Sequence, residues 1–167
     1  DRNSSYEVEL GPEFVADLLG IGPGSHWVDL GAGQLRAIVE YFHIRQSDRI
    51  HVTAINYFTP PGYSHWYQKL DEDAKLSLRH LEAVDFLEIS AREIEQADLI
   101  SDVYGALSYT PQFGKALQKA LNLLKVGGRL YFTSSDTTFW NLQSGELMSI
   151  EEFLPLIKGV KFRQLTS

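Results

Sequence analysis

Cysteine is missing from all 167 residues, and with it go disulfides, thiolate nucleophiles and cysteine-type zinc sites. Long apolar runs are missing as well. Nothing approaches the roughly 18 consecutive apolar residues of a membrane span, and the opening residues DRNSSYEVE are too polar for a signal peptide. Basic residues are scarce: 15 Lys and Arg against 22 Asp and Glu leave a formal charge of −7, a field that disfavours loose attachment to nucleic acid or to an anionic membrane. The five histidines, His26, His43, His51, His65 and His80, show no metal-ligand spacing, so no metal is assigned. These absences leave a soluble, cytoplasmic protein that meets a small molecule or another protein.

What is present is apolar mass. With 44% hydrophobic residues, three Trp, eight Tyr and nine Phe, the chain can close one substantial core and has little room for two, so residues 1–167 are read as a single domain. Residues 12–20 (PEFVADLLG) place Phe14, Val15, Leu18 and Leu19 on one helical face, with Pro12 suited to the first turn. HWVDL (26–30) is too short and apolar for anything but a buried strand, and Ala37, Ile38, Tyr41 and Phe42 then repeat at helical spacing. RIHVTAIN (49–56) alternates as a second strand. One or two amphipathic helices follow over 64–82, then a third strand at VDFLEI (84–89) and a short helix at AREIE. ADLISDVY (97–104) reads as a fourth strand. A helix over 111–125 ends at Gly127-Gly128, and a fifth strand runs over 129–135. A broken helical stretch around Pro155 and a last strand, VKFRQLT, complete the chain. Strands alternating with helices predict a Rossmann-like, doubly wound α/β fold: a mainly parallel sheet with helices on both faces, and ligands beyond the carboxyl ends of the strands.

The turn after the first strand carries Gly31 and Gly33. A dinucleotide fingerprint needs glycine at position 36, where Arg36 stands, and a phosphate loop of the GxxxxGK type is absent. Asp29, two residues before Gly31, would repel a pyrophosphate and attract a cation.

Asp29-Leu30-Gly31-Ala32-Gly33 resembles the first motif of class I S-adenosylmethionine-dependent methyltransferases. Asp98-Leu99-Ile100-Ser101-Asp102 resembles that family's fourth strand, and Leu123-Leu124-Lys125-Val126-Gly127-Gly128-Arg129-Leu130 its turn into the fifth, with Val126 in the usual proline position. The resemblance implies S-adenosylmethionine as cofactor. It puts backbone at Gly31, Ala32 and Gly33 against the methionine part, with Asp29 orienting that part, Asn56 at the ribose hydroxyls and Tyr57 or Phe58 on the adenine face. Ser90 and Ala91 fall near the adenine edge and Asp102 beside the methionine amine. Three positions depart from the family pattern. Leu35 stands at the position open to a third glycine, and a small outward shift of the helix start would relieve it. Asn56 and Ser90 replace acids, so Asn56→Asp is expected to tighten the cofactor.

YFTPPGYSHWY (57–67) offers an aromatic wall over adenine or an apolar acceptor, or else a rigid loop with its own small core. Tyr104, Ser108 and Tyr109 follow the fourth strand and are the acceptor-side candidates, with His65 as a candidate base; each has a purely structural alternative. Tyr6 could close over the cofactor, with a frayed N-terminus as the default reading. The reading is a S-adenosylmethionine-dependent methyltransferase of a small-molecule acceptor. The alternatives are a catalytically silent module of this fold that binds a partner protein, and an RNA or protein methyltransferase.

Overall fold

Along β1 (His26–Leu30) every residue is buried, as expected of a strand covered on both faces. Trp27 packs in one cluster with Phe14, Ile38 and Tyr41, whereas Val28 and Leu30 pack in another with Ile100, Leu117 and Ala120. The alternation divides the core into two layers, one on each side of the sheet. In the computed structural model, which describes residues 6–45, 49–133, 138–141 and 144–165, α1 (Tyr6–Leu10) and α2 (Pro12–Gly20) precede β1, and α3 (Arg36–Ile44) leads to β2 (His51–Ile55). Then come α4 (Tyr63–Tyr67), α5 (Glu72–Ser77), β3 (Leu78–Leu81), β4 (Ala97–Val103), α6 (Ala106–Tyr109), α7 (Phe113–Leu123) and β5 (Leu124–Thr133). A hairpin of β6 (Thr138–Asn141) and β7 (Glu146–Ser149) is followed by α8 (Ile150–Phe153) and a 3-10 turn at Leu154–Leu156.

The five main strands are all parallel, in the order β3-β2-β1-β4-β5. Strand order therefore reverses between β1 and β4, and ligand crevices open at such a point. The helices form where period and caps agree. On α7, Phe113, Ala116, Leu117, Ala120 and Leu123 recur on one face and are all buried, each larger side chain contributing about 1.5–3 kcal/mol of burial. Asp71 caps α5 by accepting the Ala74 N–H at 2.7 Å, and Ser149 with Glu152 forms a reciprocal capping box on α8. No helix among the described residues is long and apolar enough to cross a membrane.

Several expected elements differ. The third strand lies at Leu78–Leu81, inside the stretch read as helix, while 84–89 forms turns. The reason is pairing: Leu78–Leu81 lies in register with Val52–Ile55, whereas 84–89 has already passed the sheet edge. AREIE is likewise a turn. Gly127-Gly128 does not end α7, which stops at Leu123; the pair forms an irregularity inside β5, where three extra residues shift the register against β4. Gly128 is needed there because a Cβ would come within 3.1 Å of the Ala97 carbonyl. Residues 146–149 are strand rather than helix, and 160–165 is not a strand. The end of the fifth predicted strand, residues 134 and 135, lies outside the described residues.

Candidate functional site

At the carboxyl ends of β1, β2, β3 and β4 lies a cleft of about 1080 Å³. Its floor is the turn Gly31–Gly33. Gly31 and Ala32 both donate their N–H to the Ile55 carbonyl, at 2.8 and 3.2 Å, and Gly33 donates to Asn56 Oδ1 at 2.9 Å. All three amides are thus committed inside the protein. An anion cradle needs N–H groups aimed at the ligand, so this floor is not one.

Gly31 has φ 101°, which favours glycine, and a Cβ on it would lie 2.5 Å from the Gly105 Cα. A Cβ on Gly105 would lie 1.8 Å from the Leu30 carbonyl oxygen. The turns after β1 and β4 therefore cross backbone on backbone. Leu35 has φ 68° and ψ 12° at the start of α3, a left-handed conformation, and its side chain is completely buried. No outward shift of the helix start relieves it. The chain instead accepts backbone strain of about 1–2 kcal/mol and puts the isobutyl group in the core.

Asn56 is buried, and its amide is fully engaged. Besides accepting from Gly33, its Nδ2 donates to the Gly33 carbonyl at 3.0 Å and to His80 Nε2 at 3.1 Å. It lines the cleft but works as a clip between the ends of β1 and β2, and a carboxylate there would lose both donations.

Asp29 is completely buried and does not line the cleft. It accepts from Ser101 Oγ at 2.8 Å and from the Tyr6 hydroxyl at 3.0 and 2.8 Å, and Trp27 Nε1 donates to Ser101 Oγ at 2.8 Å. Burial pushes the Asp29 carboxyl up to about 7, against the lowering effect of the two hydroxyl bonds. Tyr6, whose own hydroxyl is driven higher by burial and by Asp29, lines the cleft in its place. Asp102 is also buried away from the cleft. It accepts from the N–H of Gly105 at 2.5 Å and of Leu107 at 2.7 Å, shaping the loop into α6, and burial raises its carboxyl well above the usual range.

Of the remaining expected residues, Tyr57, Phe58, Tyr104 and Tyr109 line the cleft. Tyr104 has φ 48°, and the charge of Glu9 beside it raises its phenol. Ser108 does not line the cleft; it is buried and donates to the Thr133 carbonyl at 3.2 Å. His65 is exposed on α4, edge-on to Trp66, and Trp66 packs under Lys69, whose ammonium is 4.0 Å from the ring centroid. Tyr63 stacks on Tyr67 and His80. The aromatic segment is thus divided: its first half walls the cleft and its second builds a local core. Ser90 is exposed and bonded within its own turn, and Ala91 lines a separate hollow of about 460 Å³. With the third strand ending at Leu81, residues 84–87 and not Ser90 and Ala91 line the cleft beyond it, Asp85 and Phe86 among them. Glu9 and Glu40 also line it; Arg36 pairs with Glu40 at 2.8 Å. Sequence reasoning missed Asp85, Phe86 and Glu9. For the first two the missed signal was the register of Leu78–Leu81 against β2. Among the described residues no group of three His, Asp or Glu side chains is placed to hold a metal.

No protein-family model and no curated protein sequence matches the chain. Solved structures do. The glycopeptide N-methyltransferase MtfA complexed with (S)-adenosyl-L-methionine is 13% identical over 72% of this chain and 52% of its own, with a TM-score of 0.53. Geranyl diphosphate methyltransferase in complex with GPP and sinefungin is 18% identical over 80% and 46%, with a TM-score of 0.54. The CcbJ methyltransferase from Streptomyces caelestis is 15% identical over 75% and 48%, also at 0.54. The chain has the class I methyltransferase fold. It spans about half the length of these three proteins. In a methyltransferase fold the crevice at the β1/β4 reversal is the place for a ligand, which is where the 1080 Å³ cleft lies.

Proposed function

We propose that the chain binds S-adenosylmethionine in this cleft and directs its methyl group to a small-molecule acceptor. The observation that carries the proposal is the charge of the cleft at the strand-order reversal. Glu9, Glu40 and Asp85 line it against Arg36, over a glycine turn whose amides are all engaged internally. Such a site suits a cation and disfavours phosphates. The donor set therefore fits a ligand that carries a sulfonium and an ammonium against one carboxylate. Gly31–Gly33 and Tyr6 would hold its amino-acid end, and Tyr57, Phe58, Asp85 and Phe86 its base.

When bound, S-adenosylmethionine supplies an electrophilic methyl group. The protein's part is to hold an acceptor in line, which supplies much of the acceleration in such reactions. Tyr104 and Tyr109, on the β4 side of the cleft, are the residues for that task. Glu9, beside Tyr104, is placed to receive a proton from the acceptor.

The test is calorimetric titration with S-adenosylmethionine, S-adenosylhomocysteine and NAD. Binding of the first two and not of NAD is expected; binding of NAD alone, or of none, defeats the proposal. Asn56 favours a second reading, a silent module that binds a partner protein, because its engaged amide replaces a carboxylate at the ribose position. Absence of binding at millimolar S-adenosylmethionine is the outcome that would select it.

A further inference from the structure

We infer that Lys119 is a positioning residue for the cleft: from the opposite side of the wall it holds the segment Asp85–Ile89 against the ligand space, and so sets which base the cleft accepts. The inference rests on the cofactor reading above and adds to it a residue outside the cleft.

Most of the cleft is built on sheet ends, whose backbone is fixed by ladder bonds. The wall after β3 is not. Residues 84–89 form turns, tied by Val84 N–H to the Asn56 carbonyl, Glu88 N–H to the Asp85 carbonyl, and Leu87 N–H to Asp85 Oδ1 at 2.8 Å. The 460 Å³ hollow opens at the far end of this segment, lined by Ile89, Ile94 and Gln96 and by Lys119 from α7. Phe86 and Ile89 pack in the core layer of α7, but no strand partner fixes the depth of the backbone between them. Lys119 reaches across. Its Nζ donates to the carbonyls of both Phe86 and Ile89, and the ammonium lies 4.9 Å from the centroid of the Phe86 ring. One cation thus closes two carbonyls that no strand partner satisfies and lies against the ring of a residue that lines the cleft. Charge-assisted bonds of this kind are roughly twice as strong as neutral ones, and a buried carbonyl stripped of its partner is expensive. Burial lowers the lysine's pKa while Asp85 and Glu93 raise it, which is what a partly enclosed ammonium beside acidic neighbours should show.

Of the wall residues that line the cleft, Asp85 gives a carboxylate for an exocyclic amino group, and Val84, Phe86 and Leu87 give apolar surface for a heterocycle. If the Ile89 end of the wall drops back into the hollow, these residues recede together.

Lys119→Met keeps the aliphatic stem and removes the ammonium; Lys119→Arg keeps a cation with donors for two carbonyls. In the ligand-free full chain, hydrogen exchange at residues 86–90 should be roughly tenfold or more faster in the Met variant, with β1 and β4 unchanged, and near wild-type in the Arg variant. The Met variant should bind S-adenosylhomocysteine roughly tenfold more weakly and lose most of the wild-type preference for it over S-inosylhomocysteine, and the Arg variant should recover that preference. Unchanged exchange in a folded Met variant overturns the inference whatever the cleft binds. Faster exchange with an unaltered preference overturns its specificity claim. Should Lys119→Met not fold, Lys119→Gln takes its place under the same criteria. A wild-type protein that binds neither ligand defeats the cofactor reading and the specificity claim with it, while the exchange result still decides whether Lys119 holds the wall.

Discussion

The turn after β1 and the turn after β3 wall the same cleft and are held by opposite means. The first sits between two strands of a parallel sheet. Its amides close on Ile55 and Asn56, and its Gly31 presses against the backbone at Gly105. The second lies beyond the sheet edge and, besides its own turn bonds and one bond to Asn56, is held by a lysine 30 or more residues away. A turn fixed by strand neighbours leaves its mark in the sequence, as paired glycines after an apolar run. A turn fixed by a distant side chain leaves none nearby. This difference decided which half of the cleft could be read in advance.

The comparison breaks most severely at Gly105. A methyl group there would lie 1.8 Å from the Leu30 carbonyl and 2.6 Å from Asp102 Oδ1, and neither backbone nor a buried, doubly bonded carboxylate can move aside. Gly105→Ala should therefore cost more than about 4 kcal/mol, among the largest effects of point mutations, or prevent folding; circular dichroism and urea unfolding measure it. The same crossing means that a substitution at Gly31 reports on packing and not on a ligand.

A next effect comes from Asp29, on the rigid side. Its carboxyl titrates near 7 in the folded protein against an ordinary 3.8, raised by burial. Because the folded state holds the proton more tightly, the contribution of Asp29 to stability is fully present below pH 4 and is lost as pH rises to about 7. At about 1.4 kcal/mol per unit, that is on the order of 4 kcal/mol. Asp29→Asn keeps an acceptor for Tyr6 and Ser101 but cannot titrate, so the variant's stability relative to wild type should rise by that order between pH 4.5 and pH 8 in urea unfolding. Parallel profiles would show that Asp29 is not enclosed as described.

How much of this was legible turns on period and distance. The helices α2, α3 and α7 and the strands β1, β2 and β4 were plain because their apolar residues recur at the periods of helix and buried strand. β3 was not, since Leu78–Leu81 has only four residues and carries Arg79 and His80 at its centre, while VDFLEI next to it has the apolar composition of a strand and buries Phe86 and Ile89 as a turn instead. The site follows the same rule. Asp29, Gly31 and Gly33 could be picked out, but their partners Tyr6, Asn56 and Ser101 lie 23 to 72 residues away, and that separation hid what each side chain does.

Asn56 sharpens the point, since the family pattern and the geometry lead to opposite expectations. In Asn56→Asp one oxygen still accepts from Gly33 N–H, while the other faces the Gly33 carbonyl and the bare Nε2 of His80, whose Nδ1 lies 2.9 Å from Glu82. Two donations are replaced by two lone-pair contacts, which should destabilise the protein by about 1–3 kcal/mol at pH 8. His80 is normally kept neutral by burial, which lowers its pKa. A carboxylate beside it favours the protonated ring, so the loss should shrink at pH 6. Denaturation at the two pH values measures this, and an equal or greater stability of the variant at pH 8 would place the Asn56 amide elsewhere.

The smallest effect is the most diagnostic, because it reverses a familiar ranking. Leu35 stands at the start of α3 in a left-handed conformation with its side chain fully buried. Truncation to alanine loses that packing, about 2–5 kcal/mol, and keeps the strained backbone. Truncation to glycine loses the same packing and one further methyl group but removes the strain, about 1–2 kcal/mol for a residue with a Cβ, against roughly 0.5–1 kcal/mol of extra chain entropy. In an ordinary helix alanine beats glycine by about 1 kcal/mol. At position 35 glycine should equal alanine or exceed it by up to about 1 kcal/mol, with both below wild type. The paired comparison of the two variants by urea unfolding cancels the packing term except for one methyl group, so it reads chiefly the backbone. If alanine wins by its usual helical margin, residue 35 is not left-handed, and the leucine stands in a relaxed turn instead of in the place of a glycine.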